Sequence, residues 1–130
     1  MAVYLKDLPV QAEPVPVVEP AVPAQMDLGQ RLYKQHCADC HGAQGQGATG
    51  AYPPLAGNRA VLMASPVNTV QAIVSGGFAP ATVGHPQPYG MPPFRTLLSP
   101  AEIAAVASYV RQSWGNRAGA VSSLDVQRVQ

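Results

Sequence analysis

The stretch that most constrains this 130-residue chain is Cys37-Ala38-Asp39-Cys40-His41. Two thiols three positions apart, with an imidazole directly after the second, have the spacing that attaches a c-type haem. The thiols add to the two vinyl groups of the porphyrin, and the adjacent imidazole then lies against the iron as the proximal ligand. The motif therefore predicts one haem c held covalently by Cys37 and Cys40, with His41 as an iron ligand.

A Cys-x-x-Cys pair also occurs in redox-active dithiols and in zinc sites. A dithiol site needs a strand, a turn and a helix around the motif, whereas here the pair ends a predicted helix and a histidine follows it. Zinc needs a second pair of ligands, and the chain has no third cysteine. Haem attachment is therefore the preferred interpretation, and a dithiol sensor or folding module is the alternative.

A second iron ligand is predicted in the long proline-rich loop that ends in Tyr89-Gly90-Met91-Pro92-Pro93-Phe94. The two prolines restrict the backbone after Met91, and Gly90 permits a close approach to the porphyrin. A methionine sulfur favours ferrous iron and raises the reduction potential relative to a second imidazole. We therefore expect Met91 to be the second ligand. Weaker rivals for this position are His85, Met26 and Met63.

Side chains in two loops are predicted to complete the haem pocket. A carbonyl of Pro53 or Pro54 can accept the Nδ1 proton of His41, so that Nε2 faces the iron. Arg59 follows this turn and can pair with a haem propionate, the alternative being a solvated surface charge. His36 is expected on the surface. The candidate residues in contact with the cofactor, besides the two cysteines, are Tyr52, Pro54, Leu55, Arg59 and Phe94.

Apolar periodicity and capping signals predict a helical, loop-rich domain. Asp27 is a candidate cap for a first helix that runs to about Ala38, and Gly29 is expected to face Tyr109 where two helices cross. Further helices are predicted near 59–64, from Ser65-Pro66 to Ser75, and from Ser99-Pro100 to Trp114, with Gly115 as the stop.

The chain divides by composition into four segments. Residues 1–8 resemble the end of a preceding domain, and the proline-rich stretch 9–24 is predicted to be a semi-rigid, solvated linker. Residues 25–116 form the predicted haem domain. Residues 117–130 are a tail that is expected to pack loosely on it.

Charge and hydropathy exclude two classes of partner or location. The formal net charge of +1, with 12% charged residues, argues against a nucleic-acid-binding protein. No apolar run approaches the length of a membrane span, and the first residues do not read as a signal peptide. Covalent haem attachment normally occurs outside the cytoplasm, so we expect a fragment of a longer, exported and periplasmic chain.

The segment from 27 to 115 resembles class I c-type cytochromes. The resemblance rests on Gly29, Tyr33, the haem motif and Gly42, together with Pro53-Pro54-Leu55, Gly90-Met91-Pro92 and Tyr109-Val110. More narrowly, Leu98–Ile103, Ser113–Asn116 and the spacing of Val121, Asp125 and Val126 are similar to the last haem domain of three-haem cytochrome subunits of periplasmic membrane-bound dehydrogenases.

This resemblance implies an all-α, class I cytochrome c fold with three to five helices around one covalent haem. It implies an electron-transfer domain rather than an enzyme. The implied partners are a dehydrogenase catalytic subunit, sister haem domains, and a quinone or terminal oxidase, with a membrane-associated parent protein. A haem enzyme or gas-binding cytochrome with a displaceable sixth ligand is the alternative.

Overall fold

The computed structural model describes residues 17–87 and 89–130, so the predicted domain end at 1–8 and the first half of the linker lie outside the described residues. Within them, five helices and a two-stranded antiparallel sheet are joined by long loops, which confirms the predicted helical, loop-rich class. The helices are α1 (Pro23–His36), α2 (Ala38–His41), α3 (Val67–Ser75), α4 (Pro100–Gln112) and α5 (Ser123–Gln127), and the strands are β1 (Gly77–Phe78) and β2 (Gly90–Met91).

The crossing of α1 and α4 is the main helix contact of the fold, and Gly29 lies at its closest point. A Cβ atom at Gly29 would collide with the carbonyl oxygen of Ala105 and would fall 2.7 Å from the Cβ of Tyr109. Tyr33, one turn along α1, packs its ring against Tyr109 and Trp114 at centroid distances of 5.4 and 5.0 Å. The predicted facing of Gly29 and Tyr109 is thus present.

Helix α4 begins as its sequence predicts but ends earlier. Ser99 and Glu102 form a reciprocal capping box at its start, and its apolar stripe is buried. The helix ends at Gln112, two residues before the predicted end at Trp114, and Trp114 adopts a left-handed backbone conformation (φ 56°). The Asn116 amide that follows donates to the carbonyl oxygens of Leu55 and Val110, so it closes the helix end in place of a further turn.

Helix α1 starts at Pro23, so the predicted cap at Asp27 is wrong. Val22 occupies the N-cap position without a side-chain hydrogen bond, and Asp27 lies inside the helix. Proline suits the first helical position because its missing N–H would have no partner there. The chain just before the helix is also fixed, because the Glu19 carbonyl accepts from the Ala120 N–H at 3.0 Å. The end of the predicted linker therefore packs on the domain.

The helix predicted near 59–64 is absent, and this segment forms turns. Its carbonyl groups bind the guanidinium of Arg111, which is 1% exposed. Arg111 donates to Val61 and Met63 at 2.8 and 2.9 Å, and its Nε donates to Gly119 at 2.9 Å. A helix would need these same carbonyls for its own N–H groups, so the buried cation stabilises the turns instead. Burial lowers the pKa of Arg111.

The tail packs tightly, so the expectation of a loose tail is wrong. Val121 and Val126 are fully buried, and the backbone of Val121 exchanges two hydrogen bonds with the Ser108 hydroxyl on α4. The tail also contacts α1, because the Gln25 amide donates to the Val121 carbonyl at 2.8 Å. Helix α3 also differs slightly from its prediction, because Pro66 takes the N-cap position expected for Ser65. No helix in the described residues is both long and apolar enough to cross a membrane.

Candidate functional site

His41 lies at the end of α2 with its imidazole buried and held in one orientation. Its Nδ1 is 3.0 Å from the carbonyl oxygen of Pro53. A carbonyl can only accept, so Nδ1 carries the proton and Nε2 keeps the lone pair that a metal requires. Gly42 then turns with φ 84°, and its carbonyl accepts the Tyr33 hydroxyl at 2.7 Å. This hydrogen bond fastens the chain after His41 to the α1–α4 crossing.

The two thiols lie on the same wall as His41, where α1 ends and the short α2 begins. Cys37 is half-buried and Cys40 is exposed, and neither forms a disulfide. Burial raises the pKa of the Cys37 thiol to about 11, and the neighbouring Cys40 adds to this effect. Cys40 also raises the pKa of the Tyr52 hydroxyl. Both thiols face the cavity that His41 lines.

Met91 is held by backbone contacts on both sides. In β2 it pairs with Gly77 of β1, and a Cβ at Gly76 would collide with the Met91 carbonyl oxygen. After the two prolines, the Phe94 N–H donates to the Ile73 carbonyl at 3.0 Å. The hairpin and the end of α3 therefore fix the segment that carries the thioether.

These groups surround one cleft with two adjoining cavities of about 170 and 200 Å³. Cys37, His41, Pro53 and Met91 line both cavities. The first cavity also contacts Cys40, Tyr52 and Phe94, and the second contacts Leu55, Val61, Ile73, Val106 and Val110.

This lining fits haem c. The walls are mostly apolar, as a porphyrin ring requires, and the polar side chains include an imidazole with a free Nε2 and two unbridged thiols. A thioether faces the same space. The predicted site residues that the fold brings together are Cys37, Cys40, His41, Tyr52, Leu55, Met91 and Phe94.

Four predicted candidates or rivals lie elsewhere. Arg59 is exposed and is not among the residues that line the two cavities. Pro54 instead lines a wider open groove beside the cleft, and its carbonyl accepts from the Asn58 amide at 2.8 Å. His85 is exposed in the same groove. Met63 is 49% exposed, and its sulfur accepts from Asn68.

Among the lining residues that sequence reasoning missed are His36 and Thr69. His36 was expected on the surface, but it is half-buried, lines the first cavity, and contacts Phe94 with a ring distance of 5.8 Å. Thr69 lines the second cavity. Helical spacing carried a signal for both, because His36 is four residues from buried Leu32 and Thr69 is four residues from buried Ile73.

Comparison with known proteins gives one consistent family. The cytochrome c family model matches residues 26–114. The chain is 37% identical over 107 residues to the cytochrome c subunit of alcohol dehydrogenase (quinone) from Gluconobacter oxydans strain 621H, which covers 82% of the chain and 22% of that protein. It is 34% identical over 144 residues to the corresponding subunit from Gluconacetobacter polyoxogenes, covering 100% of the chain and 30% of that protein.

A third relative is the gluconate 2-dehydrogenase cytochrome c subunit from Pantoea cypripedii, 31% identical over 100 residues, covering 75% of the chain and 23% of that protein. The chain thus spans less than a third of the length of these three dehydrogenase subunits. The family implies a covalently bound haem c and a role in electron transfer. With its haem motif, its fitting cleft and a family match over most of its length, this chain belongs to the cytochrome c family.

Proposed function

We propose that this chain is an electron-transfer domain with one haem c, attached through Cys37 and Cys40 and ligated by His41 and Met91. The observation that carries the proposal is that the imidazole and the thioether line both cavities of one apolar cleft, with both thiols in its wall. When bound, the haem iron exchanges single electrons between its ferrous and ferric states.

The protein's contribution is to hold the two ligands still. The Pro53 carbonyl fixes the tautomer and orientation of His41, and the β1–β2 hairpin fixes the backbone of Met91. If the same two ligands serve both oxidation states, little has to move when an electron arrives or leaves. Two protein ligands also leave no position for a substrate, so we infer an electron carrier and not an enzyme in its own right.

The relatives support a dehydrogenase complex as the setting. Subunits named for an alcohol and for a gluconate dehydrogenase share this domain, and the alcohol dehydrogenase name specifies a quinone. We infer that electrons come from a dehydrogenase catalytic subunit or from sister haem domains and pass to a quinone or terminal oxidase. A periplasmic location and a membrane-associated parent belong to the same proposal, as do the segments 1–8 and 9–24 as a preceding domain end and a linker.

The ligand assignment is tested in protein that is expressed with a c-type haem maturation system. The ferric wild type should show the weak near-red sulfur-to-iron charge-transfer band, and Met91→Ala should lose it. Met63→Ala and His85→Ala are matched controls that should keep the band, because both side chains lie outside the two cavities.

Two outcomes would contradict the proposal. Persistence of the band in Met91→Ala would refute methionine ligation at this position. Ready binding of carbon monoxide by the ferrous wild type would instead favour a gas-binding or enzymatic haem with a displaceable ligand.

A further inference from the structure

The second cavity of the cleft has polar side chains in its wall that the proposed function leaves unused. They belong to Asn58, Asn68 and Thr69. The Asn58 amide donates to the Pro54 carbonyl and accepts from the Ala60 N–H. The Asn68 amide donates to the Met63 sulfur at 3.3 Å. Both amides therefore already have partners within the protein.

The hydroxyl of Thr69 has none. Its Oγ1 is buried and lacks a hydrogen-bond partner among the described residues, and the residue is 9% exposed. A threonine within a helix commonly donates to a carbonyl three or four residues earlier, which Thr69 does not do. A buried hydroxyl without a partner is unfavourable, so its position in a cavity wall indicates that a bound group supplies the partner.

The surroundings of Thr69 favour an anion as that group. Thr69 belongs to the first turn of the nine-residue helix α3, whose N-terminal end carries the positive pole of the helix dipole. The first N–H groups of a helix have no partner within it. Pro66 at the N-cap offers no N–H, and the Val67 N–H reaches only the Ser65 hydroxyl at 3.4 Å.

We propose that Thr69 and the first turn of α3 bind a carboxylate, namely a propionate of the haem. This inference rests on the proposed function. The thioether bonds of haem c lie on one edge of the porphyrin, and the propionates lie on the opposite edge. Cys40 lines only the first cavity, Cys37 lines both, and Thr69 lines only the second, so we infer that a haem attached at the two cysteines extends its propionate edge towards Thr69. Thr69 thus takes the role that sequence reasoning gave to exposed Arg59.

Thr69 is then a positioning residue with an electrostatic effect on the iron. A hydrogen bond from its hydroxyl draws negative charge on the carboxylate away from the porphyrin. Because that negative charge stabilises ferric iron more than ferrous iron, the hydrogen bond raises the reduction potential. It also lowers the pKa of the propionate, so protonation of the propionate is coupled to reduction only at more acidic pH.

The test is a redox titration of the holoprotein over a range of pH. Thr69→Val keeps the shape and removes the hydroxyl, Thr69→Ser keeps the hydroxyl, and Thr96→Val removes an exposed hydroxyl elsewhere. In Thr69→Val the ferric/ferrous equilibrium should shift roughly three- to tenfold towards ferric, and tenfold corresponds to about 59 mV for a one-electron couple. As the pH is lowered, the reduction potential of Thr69→Val should begin to rise at a higher pH than that of the wild type. Thr69→Ser should restore most of both changes, and Thr96→Val should change neither.

The outcomes that overturn the inference are distinct from those that overturn the proposed function. An unchanged potential and pH profile in Thr69→Val, with haem attached and the near-red band intact, would overturn the inference alone. A shifted near-red band with an unchanged pH profile would also overturn it, because the hydroxyl would then serve the Met91 sulfur. A wild type without attached haem would overturn both.

Discussion

At the scale of single residues, the approach of α1 to α4 depends on the missing side chain at Gly29. A methyl group there would meet the backbone carbonyl of Ala105, which cannot rotate away as a side chain can. The two helices would have to separate, and the contact of Tyr33 with Tyr109 and Trp114 would loosen with them. The wall of the haem cleft begins three residues after Tyr33, at His36.

Gly29→Ala is therefore expected to destabilise the holoprotein although alanine is the better helix former. Overpacking costs about 1–3 kcal/mol and occasionally more, whereas the gain in helix propensity is at most about 1 kcal/mol. We expect a net loss of about 2 kcal/mol in the free energy of unfolding, measured with urea. Gly84→Ala is the control, because a Cβ at Gly84 would have nothing within 4 Å. Equal stability of the two variants would contradict this account of the crossing.

The haem motif could be predicted from the sequence because its chemistry is local. Two thiols, an imidazole and a proline-framed thioether are recognisable without knowing the fold. So was the carbonyl acceptor of the His41 Nδ1 proton, which was predicted to be Pro53 or Pro54 and is Pro53. The positions of Arg59 and Thr69 relative to the cleft could not be recognised in this way. Which of these two residues faces the cleft depends on where 59–64 and α3 lie in the fold, and the buried Arg111 guanidinium fixes that placement from another helix.

At the scale of elements, the tail shows how a short helix can be stable. Helix α5 has only five residues, yet both hydrogen bonds of its capping box are formed. The Ser122 hydroxyl accepts from the Asp125 N–H at 3.2 Å, and the Asp125 carboxylate accepts from the Ser122 N–H at 2.9 Å. The Ser122 hydroxyl also donates to this carboxylate at 2.8 Å, and the hydrogen bonds from the Ser122 N–H and hydroxyl lower the pKa of Asp125. The helix in turn buries Val126 against the core.

Ser122→Ala should lower the free energy of unfolding by about 1 kcal/mol at neutral pH, the usual value of an N-cap. Because the folded pKa of Asp125 is depressed, its contribution is present above the unfolded pKa of about 3.9 and is lost as pH falls through the folded pKa. The difference between wild type and variant should therefore be constant from pH 7 to about pH 5 and shrink below it. Urea unfolding at several pH values measures this.

The neighbouring Ser123→Ala is the matched control for this cap. Ser123 is the first residue of α5, and its hydroxyl makes no hydrogen bond within the described part of the chain. Its replacement should leave both the stability and the pH dependence nearly unchanged. A difference between Ser122→Ala and wild type that stays the same down to pH 2 would show that the Asp125 carboxylate is not involved.

The tail and the 59–64 segment were mispredicted for the same physical reason. In each, the deciding partner lies far away in sequence: Ser108 holds Val121, and Arg111 holds Val61 and Met63. The local pattern of apolar residues predicts neither of these long-range contacts. The capping box of α4, by contrast, was predictable, because Ser99 and Glu102 are three residues apart and satisfy each other.

At the scale of the whole molecule, the loops between 42 and 94 that border the cleft carry almost no charge. Between 42 and 94 the only Asp, Glu, Lys or Arg is Arg59. This stretch supplies the loops and the hairpin beside the cleft, and it exposes Phe78 of β1 and Val83 at 77% and 104%. Exposed apolar side chains beside a redox centre favour docking through desolvation, while long-range steering requires a charged field that this face lacks.

We therefore expect electron exchange at this face to depend little on salt. The self-exchange rate between ferrous and ferric copies, measured by NMR line broadening, should change less than about threefold between roughly 0.01 and 0.15 M ionic strength, where the Debye length falls from about 30 to 8 Å. Phe78→Asp should lower the rate about tenfold and make it rise with salt, because both docking faces then carry the same charge. Leu124→Asp adds the same charge at the 54% exposed Leu124 on α5, and it should have a much smaller effect. A steep salt dependence in the wild type, or equal losses in the two variants, would show that docking occurs elsewhere.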